Sequence, residues 1–119
     1  MSTHVSWMLE LEIQQEHESA LQSLMEEMVE ATKANESGTL DYEWSISADG
    51  KSCHLFERYV DSAAALTHLG TFGEKYAGRF LEVFKLVRLV VYGSPSTAAQ
   101  EALAGFNPVY MRPLGGFSR

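Results

Sequence analysis

The chain has 119 residues, of which 16 are acidic and nine are lysine or arginine, so its formal net charge at pH 7 is −7. This negative charge, without any cluster of basic residues, argues against binding to nucleic acids or to anionic lipid surfaces. The length predicts a single domain over residues 1–119, and the hydrophobic content of 45% is typical of a soluble globular protein.

The single cysteine and the first residues of the chain predict a cytoplasmic protein. Cys53 cannot form an intramolecular disulfide, which favours a reducing compartment. The N-terminus lacks the basic leader of a signal peptide, and Glu10 and Glu12 interrupt its apolar run, so we expect no membrane span. The sequence has neither the paired ligand spacing of metal sites nor a glycine-rich nucleotide loop, so we predict no metal and no other cofactor.

The first elements are a strand and a helix. Apolar and polar residues alternate over Trp7–Ile13, which predicts a strand with one buried face. From about Glu16 to Asn35 apolar residues recur every three or four positions, which predicts an amphipathic helix. We expect this helix to end near Gly38, in the left-handed conformation that glycine favours.

A β-hairpin is predicted over Thr39–Tyr59, with its turn at Asp49 and Gly50. Folding the two strands about that turn gives four opposed pairs: Ile46 with Cys53, Trp44 with Leu55, Tyr42 with Glu57, and Leu40 with Tyr59. The face that these residues share is aliphatic and aromatic except for one acid, Glu57. On the opposite face Asp41 and Arg58 are predicted to form a cross-strand ion pair.

A second helical region follows the hairpin. Asp61 or Ser62 is suited to cap its N-terminus. Gly70 and Gly73 are expected to break the helix, and helical spacing then resumes as far as Phe84.

The last part of the chain predicts a strand, a short helix and an arm. The segment "LVRLVVYG" is rich in branched residues and apolar on both of its faces, as in a buried strand. Ser94 and Pro95 are typical of the start of a helix, here running to about Ala104. The remaining tail is too rich in proline and glycine for a central strand and predicts an extended arm.

The order β-α-β-β-α-β predicts a ferredoxin-like α+β fold, with an antiparallel sheet and helices on one face. In this topology the fourth strand lies at an edge, yet both of its faces are apolar. Two helices can cover only one face of the sheet. We therefore predict a homodimer that packs sheet against sheet, with the arm free to reach the partner.

Three segments resemble the antibiotic biosynthesis monooxygenase family: "GTLDYEWSISADG", "HLFERYVDSAAALTHLGTF" and "RLVVYGSPS". The resemblance covers residues 5–93, and residues 94–119 look like an extension. It implies a dimeric α+β barrel, with a ligand cavity in each subunit between the helices and the sheet. It also implies a cofactor-independent oxidation of a small aromatic such as a quinol. The chain departs from anthrone-oxidising members, which carry asparagine and tryptophan where Leu55 and Tyr59 fall, and it lacks the asparagine–tryptophan–histidine set of haem-degrading members.

Glu57 is the strongest catalytic candidate, with His68 as a second. A carboxylate buried among aromatic rings is suited to act as a general base, and a neighbouring histidine can carry protons. The alternative is that Glu57 accepts hydrogen bonds to satisfy the core, and that His68 is a buried structural residue. The residues that would bind the substrate are those sharing the cavity face or the adjacent helix: Tyr42, Trp44, Leu55, Tyr59 and Phe72.

The sequence also indicates roles for Cys53 and Arg88. Cys53 shares the face of Glu57, but no histidine is placed to activate it, so we predict an inert buried thiol. Arg88, on the fourth strand, could bind an anionic substrate, and its facing is open.

Three functions fit these residues. The first is a cofactor-independent monooxygenase acting on a small quinol-like or polyphenolic aromatic. The second is an isomerase or related proton-transfer enzyme that uses the same base without oxygen. The third is a non-enzymatic dimeric protein that binds a small ligand.

Overall fold

A computed structural model describes residues 3–119 and contains one five-stranded sheet with helices packed on it. The strands are β1 (Val5–Ile13), β2 (Thr39–Ile46), β3 (Ser52–Tyr59), β4 (Phe84–Gly93) and β5 (Val109–Met111). The α-helices are α1 (Leu21–Asn35), α2 (Ser62–Thr71), α3 (Ala77–Val83) and α4 (Thr97–Leu103). The strand order is β2-β3-β1-β4-β5, in which only β4 and β5 are parallel. This arrangement confirms the predicted ferredoxin-like α+β fold.

The hairpin register is confirmed along most of its length. Tyr42 pairs with Glu57, and Arg58 Nε lies 2.5 Å from Asp41 Oδ2 in the predicted ion pair. The predicted pairing of Leu40 with Tyr59 is wrong, because the register shifts and Thr39 takes that place. Such a bulge adds a residue to one strand and turns its side chain away from the regular pattern, so Leu40 is 41% exposed.

Gly38 serves close packing rather than a helix end. The prediction of a left-handed terminus there is wrong, since α1 ends at Asn35 and Gly38 is not among the glycines with positive φ in residues 3–119. A Cβ atom placed on Gly38 would lie 2.6 Å from the Cβ atom of Ala64. Glycine is therefore required because the chain after α1 passes directly against α2.

We expect Gly38→Ala to lower the free energy of unfolding by about 1–3 kcal/mol, because the added methyl group overlaps the Ala64 side chain. Gly70→Ala is the matched control, since Gly70 lies within α2 and, apart from the neighbouring backbone of that helix, no described atom lies within 4 Å of the added carbon. It should instead stabilise the protein by about 0.5–1 kcal/mol, because alanine is the better helix former. Urea unfolding at one pH measures both. Equal stability of the two variants would contradict the packing argument.

The second helical region is continuous rather than broken at Gly70 and Gly73. A π-helical segment, Phe72–Tyr76, joins α2 directly to α3, so the predicted break is wrong. Gly70 lies within α2, and Gly73 lies within the π-helical segment, whose wider turn keeps the helix continuous. The predicted cap is confirmed, since the Asp61 side chain accepts a hydrogen bond of 2.9 Å from the Ala64 backbone.

The C-terminal part differs from its prediction at two points. The cap of α4 is Ser96 rather than Ser94, because the Ser96 hydroxyl accepts a hydrogen bond from Ala99 N at 3.1 Å. The arm forms a short strand, β5, which pairs with Val90–Tyr92 of β4. The fourth strand is thus not at the edge along these residues. The three residues of β5 lie in a segment bounded by Pro108 and Pro113, which can form an edge strand but not a central one.

One face of the sheet supports the core, and the other remains partly open. The core face carries β1 residues such as Trp7 and Leu11, packed beneath α1 and α3. On the opposite face Phe56, Met8 and Val90 lie opposite one another across β3, β1 and β4. Among residues 3–119, no helix is both long enough and apolar enough to cross a membrane.

Candidate functional site

Glu57 lies on the core face of the sheet and is only 3% exposed. It is flanked by Trp7 on β1 and Tyr42 on β2, to which it is paired. The Tyr59 hydroxyl donates a hydrogen bond of 2.5 Å to Glu57 Oε1, and His68 Nε2 lies 3.3 Å from the same oxygen. Strand alternation thus places the carboxylate inside the protein, as the sequence predicts, and a tyrosine and a histidine hold it.

His68 is buried and lies between two carboxylates. Its Nδ1 atom is 2.8 Å from Glu36 Oε1, while its Nε2 atom faces Glu57. Burial alone would lower the pKa of His68, but the hydrogen bonds to Glu36 and Glu57 outweigh burial and raise this pKa to about 9. Near pH 7 the side chain is therefore an imidazolium that donates to a carboxylate on either side. We call Glu36, His68 and Glu57 the charged triad.

Glu36 is the member of the charged triad that was not predicted from the sequence. It follows the last residue of α1, and its side chain is 7% exposed. A carboxylate at the C-terminal end of a helix opposes the helix dipole, so it calls for a nearby positive charge. The position of Glu36 at the end of α1 could therefore have indicated a nearby cation, and in the structure that cation is His68.

Two buried donors near the triad have no hydrogen-bond partner within the described chain: the Tyr42 hydroxyl and Trp44 Nε1. Burial, followed by the charge of Glu57, raises the pKa of Tyr42 well above its usual value. The Trp44 indole lowers the pKa of Tyr42, although the Tyr42 hydroxyl and Trp44 Nε1 do not reach hydrogen-bond geometry. Burial likewise raises the pKa of Tyr59, again with Glu57 as the second cause. Both phenols therefore remain protonated donors at neutral pH.

A partly open cavity lies beside the charged triad, and we call it the Glu57 cavity. Five of the predicted site residues line it: Tyr42, Leu55, Glu57, His68 and Phe72. Trp44 and Tyr59 do not line it; Trp44 packs on Phe80 and Phe84, and Tyr59 lies behind Glu57. The volume is about 30 Å³, which is the space of roughly one water molecule. A larger ligand would have to displace a wall.

Residues from distant segments complete the cavity wall: Trp7, Leu9, Met28, Leu69, Phe80, Leu89, Leu103 and Phe106. Leu103 and Phe106 come from the C-terminal segment, which the sequence reading treated only as an extension. Their contribution depends on how α4 packs against α2, and the spacing of apolar residues carries no information on that packing.

Cys53 and Arg88 lie outside the Glu57 cavity. Cys53 is buried, and its burial raises the pKa of the thiol to about 11, so it stays protonated at neutral pH. The facing of Arg88 is now clear, since its Nε atom pairs with Glu10 Oε2 at 2.9 Å on the exposed side of the sheet. Within residues 3–119, no group of three histidine, cysteine or acidic side chains is arranged to bind a metal.

The family model for antibiotic biosynthesis monooxygenases matches residues 5–84. Among solved structures, MupZ from Pseudomonas fluorescens is 26% identical with a TM-score of 0.84, covering 100% of this chain and 91% of its own. Rv0793 from Mycobacterium tuberculosis is also 26% identical, with a TM-score of 0.66, and covers 80% of this chain and 98% of its own. A conserved protein from Methanosarcina mazei, 15% identical with a TM-score of 0.67, shares the fold over 76% of this chain and 91% of its own. No curated protein sequence matches the chain. The alignment with MupZ includes the C-terminal α4 and β5, so this extension is not peculiar to the present chain.

Proposed function

Because the chain belongs to the antibiotic biosynthesis monooxygenase family, we propose that it is a monooxygenase that oxidises a small quinol-like or polyphenolic aromatic without a cofactor. The reaction takes place in the Glu57 cavity, with Glu57 as the base. His68 supports Glu57, and Tyr42 provides a hydrogen-bond donor to an oxygen of the substrate.

The observation that supports this role is a buried carboxylate with one occupied oxygen. Both the Tyr59 hydroxyl and His68 Nε2 contact Oε1 of Glu57. Neither of these contacts involves Oε2, so we assign this atom to accept the proton from a ligand in the cavity. A purely structural acceptor would not need to border a cavity, whereas a general base must lie within reach of its substrate.

The positive charge of His68 makes the proton transfer feasible. When Glu57 accepts the phenolic proton, the negative charge moves from the carboxylate to the substrate oxygen. The imidazolium beside both groups then stabilises the new anion in surroundings with little water. Glu36 keeps His68 protonated throughout, since its Oε1 atom lies 2.8 Å from the opposite ring nitrogen.

The substrate anion is the reductant of dioxygen in this proposal. A quinol and one O₂ give a hydroxyquinone and one water, so one oxygen atom enters the ring and the other leaves as water. All four electrons come from the substrate, two from the quinol and two from the ring C–H bond that becomes C–OH. The protein supplies orientation, desolvation and the proton acceptor.

We also propose that two copies pair through the open face of the sheet. Met8 and Phe56 are partly buried there already, and Val90 beside them is 5% exposed. A second copy would complete the burial of this apolar row. Sedimentation equilibrium of the full chain checks the proposal, and a monomer at micromolar concentration would overturn it.

Oxygen uptake tests the proposed function. The purified protein is mixed with hydroquinone, methylhydroquinone or naphthalene-1,4-diol, and the rate is compared with that of buffer alone. We expect enzyme-dependent uptake, with one ¹⁸O atom from ¹⁸O₂ incorporated per hydroxyquinone formed. The absence of uptake above autoxidation for all three quinols would overturn the proposal for quinols. Turnover of a candidate substrate that persists without oxygen would favour the proton-transfer alternative.

A further inference from the structure

A second, larger cavity adjoins the Glu57 cavity at the edge of the sheet, and we call it the β4 cavity. Its volume is about 210 Å³. Leu9, Leu89 and Phe106 line both cavities, so the two cavities meet at these three residues, which we call the shared wall. The rest of its lining comes from residues 86–88 of β4 and from Asn107.

An irregularity in β4 creates the space for this cavity. Arg88 pairs with Glu10 while Leu86 pairs with Leu11, so Val87 is an extra residue without a partner. A bulge of this kind bends its strand and opens the edge. Because β5 pairs only with Val90–Tyr92, no strand within residues 3–119 covers the edge of β4 beside the bulge.

Phe106 is the only one of the three shared wall residues that is not held by strand pairing. Leu9 and Leu89 are opposed across β1 and β4 and are at most 8% exposed. Phe106 instead ends a one-turn 3₁₀ helix, is half-buried, and precedes Asn107 in the left-handed conformation, with φ 53°. A rotamer change at Phe106 would therefore join the two cavities without disturbing the sheet.

We propose that Phe106 divides two compartments of a single substrate site. The substrate is then a phenol or quinol with a neutral polar side chain, whose ring lies in the Glu57 cavity and whose side chain passes Phe106 into the β4 cavity. The position of the ring rests on the proposed function. The position of the side chain rests on the shared wall.

Size and charge favour this class of ligand. The Glu57 cavity alone holds about one water molecule, so a ring can enter only if a wall moves, and Phe106 is the wall best able to do so. Asn107 and Arg88 are the polar residues among those that line the β4 cavity. The charge of Arg88 is already compensated by Glu10, and the chain carries a net charge of −7, so a ketone or hydroxyl suits this lining better than an anion.

Calorimetric titration with three phenols tests the inference without any turnover. The ligands are phenol, 4-butylphenol and 4-(4-hydroxyphenyl)butan-2-one, of which the last two share a four-carbon chain and differ by one ketone. We expect the ketone to bind the wild-type protein about 5-fold more tightly than 4-butylphenol, which corresponds to one hydrogen bond. Asn107→Gly, which keeps the left-handed backbone, should abolish this preference.

Two substitutions of opposite size test the dividing role of Phe106. Phe106→Ala should strengthen the binding of both long ligands relative to phenol, and Phe106→Trp should weaken it, each by several-fold. Phe117→Ala is the control, since Phe117 is 82% exposed and lies outside both cavities. A general loss of folding would change all three affinities together and would not produce opposite signs.

The result that overturns the inference is an equal response of all three ligands to substitution at Phe106 and Asn107, or no binding of any of them. These outcomes are separate from those of the oxygen assay. If quinols are oxidised while the chain-length preference is absent, only the second compartment is wrong. If the preference holds while no quinol is oxidised, the two-compartment site stands and the proposed reaction fails.

Discussion

Glu57→Gln is expected to lower kcat for quinol oxidation by at least about 10²-fold, which is the usual contribution of a general base. The amide keeps the size of the side chain and can still accept the hydrogen bond from Tyr59, so the cavity retains its shape. It can no longer take a proton at the pH of the assay. Oxygen uptake under saturating quinol measures kcat, and thermal unfolding of the same sample checks that the variant is folded.

The matched control is Glu36→Gln. Both substitutions remove one carboxylate from His68, so both should lower its pKa from about 9. Of these two glutamates, Glu57 lines the Glu57 cavity and Glu36 does not. We therefore expect Glu36→Gln to reduce kcat by less than about 10-fold, as suits a residue that acts through His68. Equal losses in the two variants would show that the charge of His68, and not a base at position 57, limits the reaction.

The position of Glu57 could be predicted from the sequence because it depends on local rules. Alternation along β3 decides which face a residue occupies, and the turn at Asp49 and Gly50 sets the register of the hairpin. The register failed only at Leu40, where a bulge adds one residue. A bulge leaves the alternation of apolar and polar residues on either side of it unchanged, so this alternation does not predict a bulge.

The triad could not be predicted in full because Glu36 and His68 are 32 residues apart in the chain. Their contact depends on how closely the end of α1 approaches α2. That approach is made possible by Gly38, whose backbone packs against Ala64, one helical turn before His68. A glycine just after a helix usually indicates a left-handed terminus. The sequence therefore predicted that role for Gly38 and not the close packing that brings the triad together.

Replacing His68 with leucine is expected to cost about 3–5 kcal/mol of unfolding free energy at pH 7. The substitution removes the cation that lies between two buried carboxylates, and an uncompensated buried charge is strongly destabilising. Leucine is close in size to histidine, so packing changes little. Urea unfolding of the full chain measures the loss.

A triple variant separates charge from packing. Glu36→Gln, His68→Leu and Glu57→Gln together leave no charge in the triad, and this variant should recover most of the loss, since neutral replacements of buried ion pairs are often well tolerated. If the triple variant is as unstable as His68→Leu alone, the imidazole ring stabilises the core by its packing rather than by its charge. One such contact is with Tyr42, whose ring centroid lies 5.2 Å from that of His68.

The pH dependence of stability provides a second test of the same charge. The folded-state pKa of His68 is about 9, above its usual 6.5, so protonated His68 favours the folded state. That contribution is fully present below pH 6.5 and is lost as the pH rises to 9, with a total of about 3 kcal/mol. The stability difference between the wild-type protein and His68→Leu should therefore shrink by about this amount between pH 6 and pH 9.5. A difference that stays constant over this range would mean that folding does not raise the pKa of His68 above 6.5, so that the side chain is mostly neutral above pH 7. The triad would then lack the positive charge on which the proposed proton transfer depends.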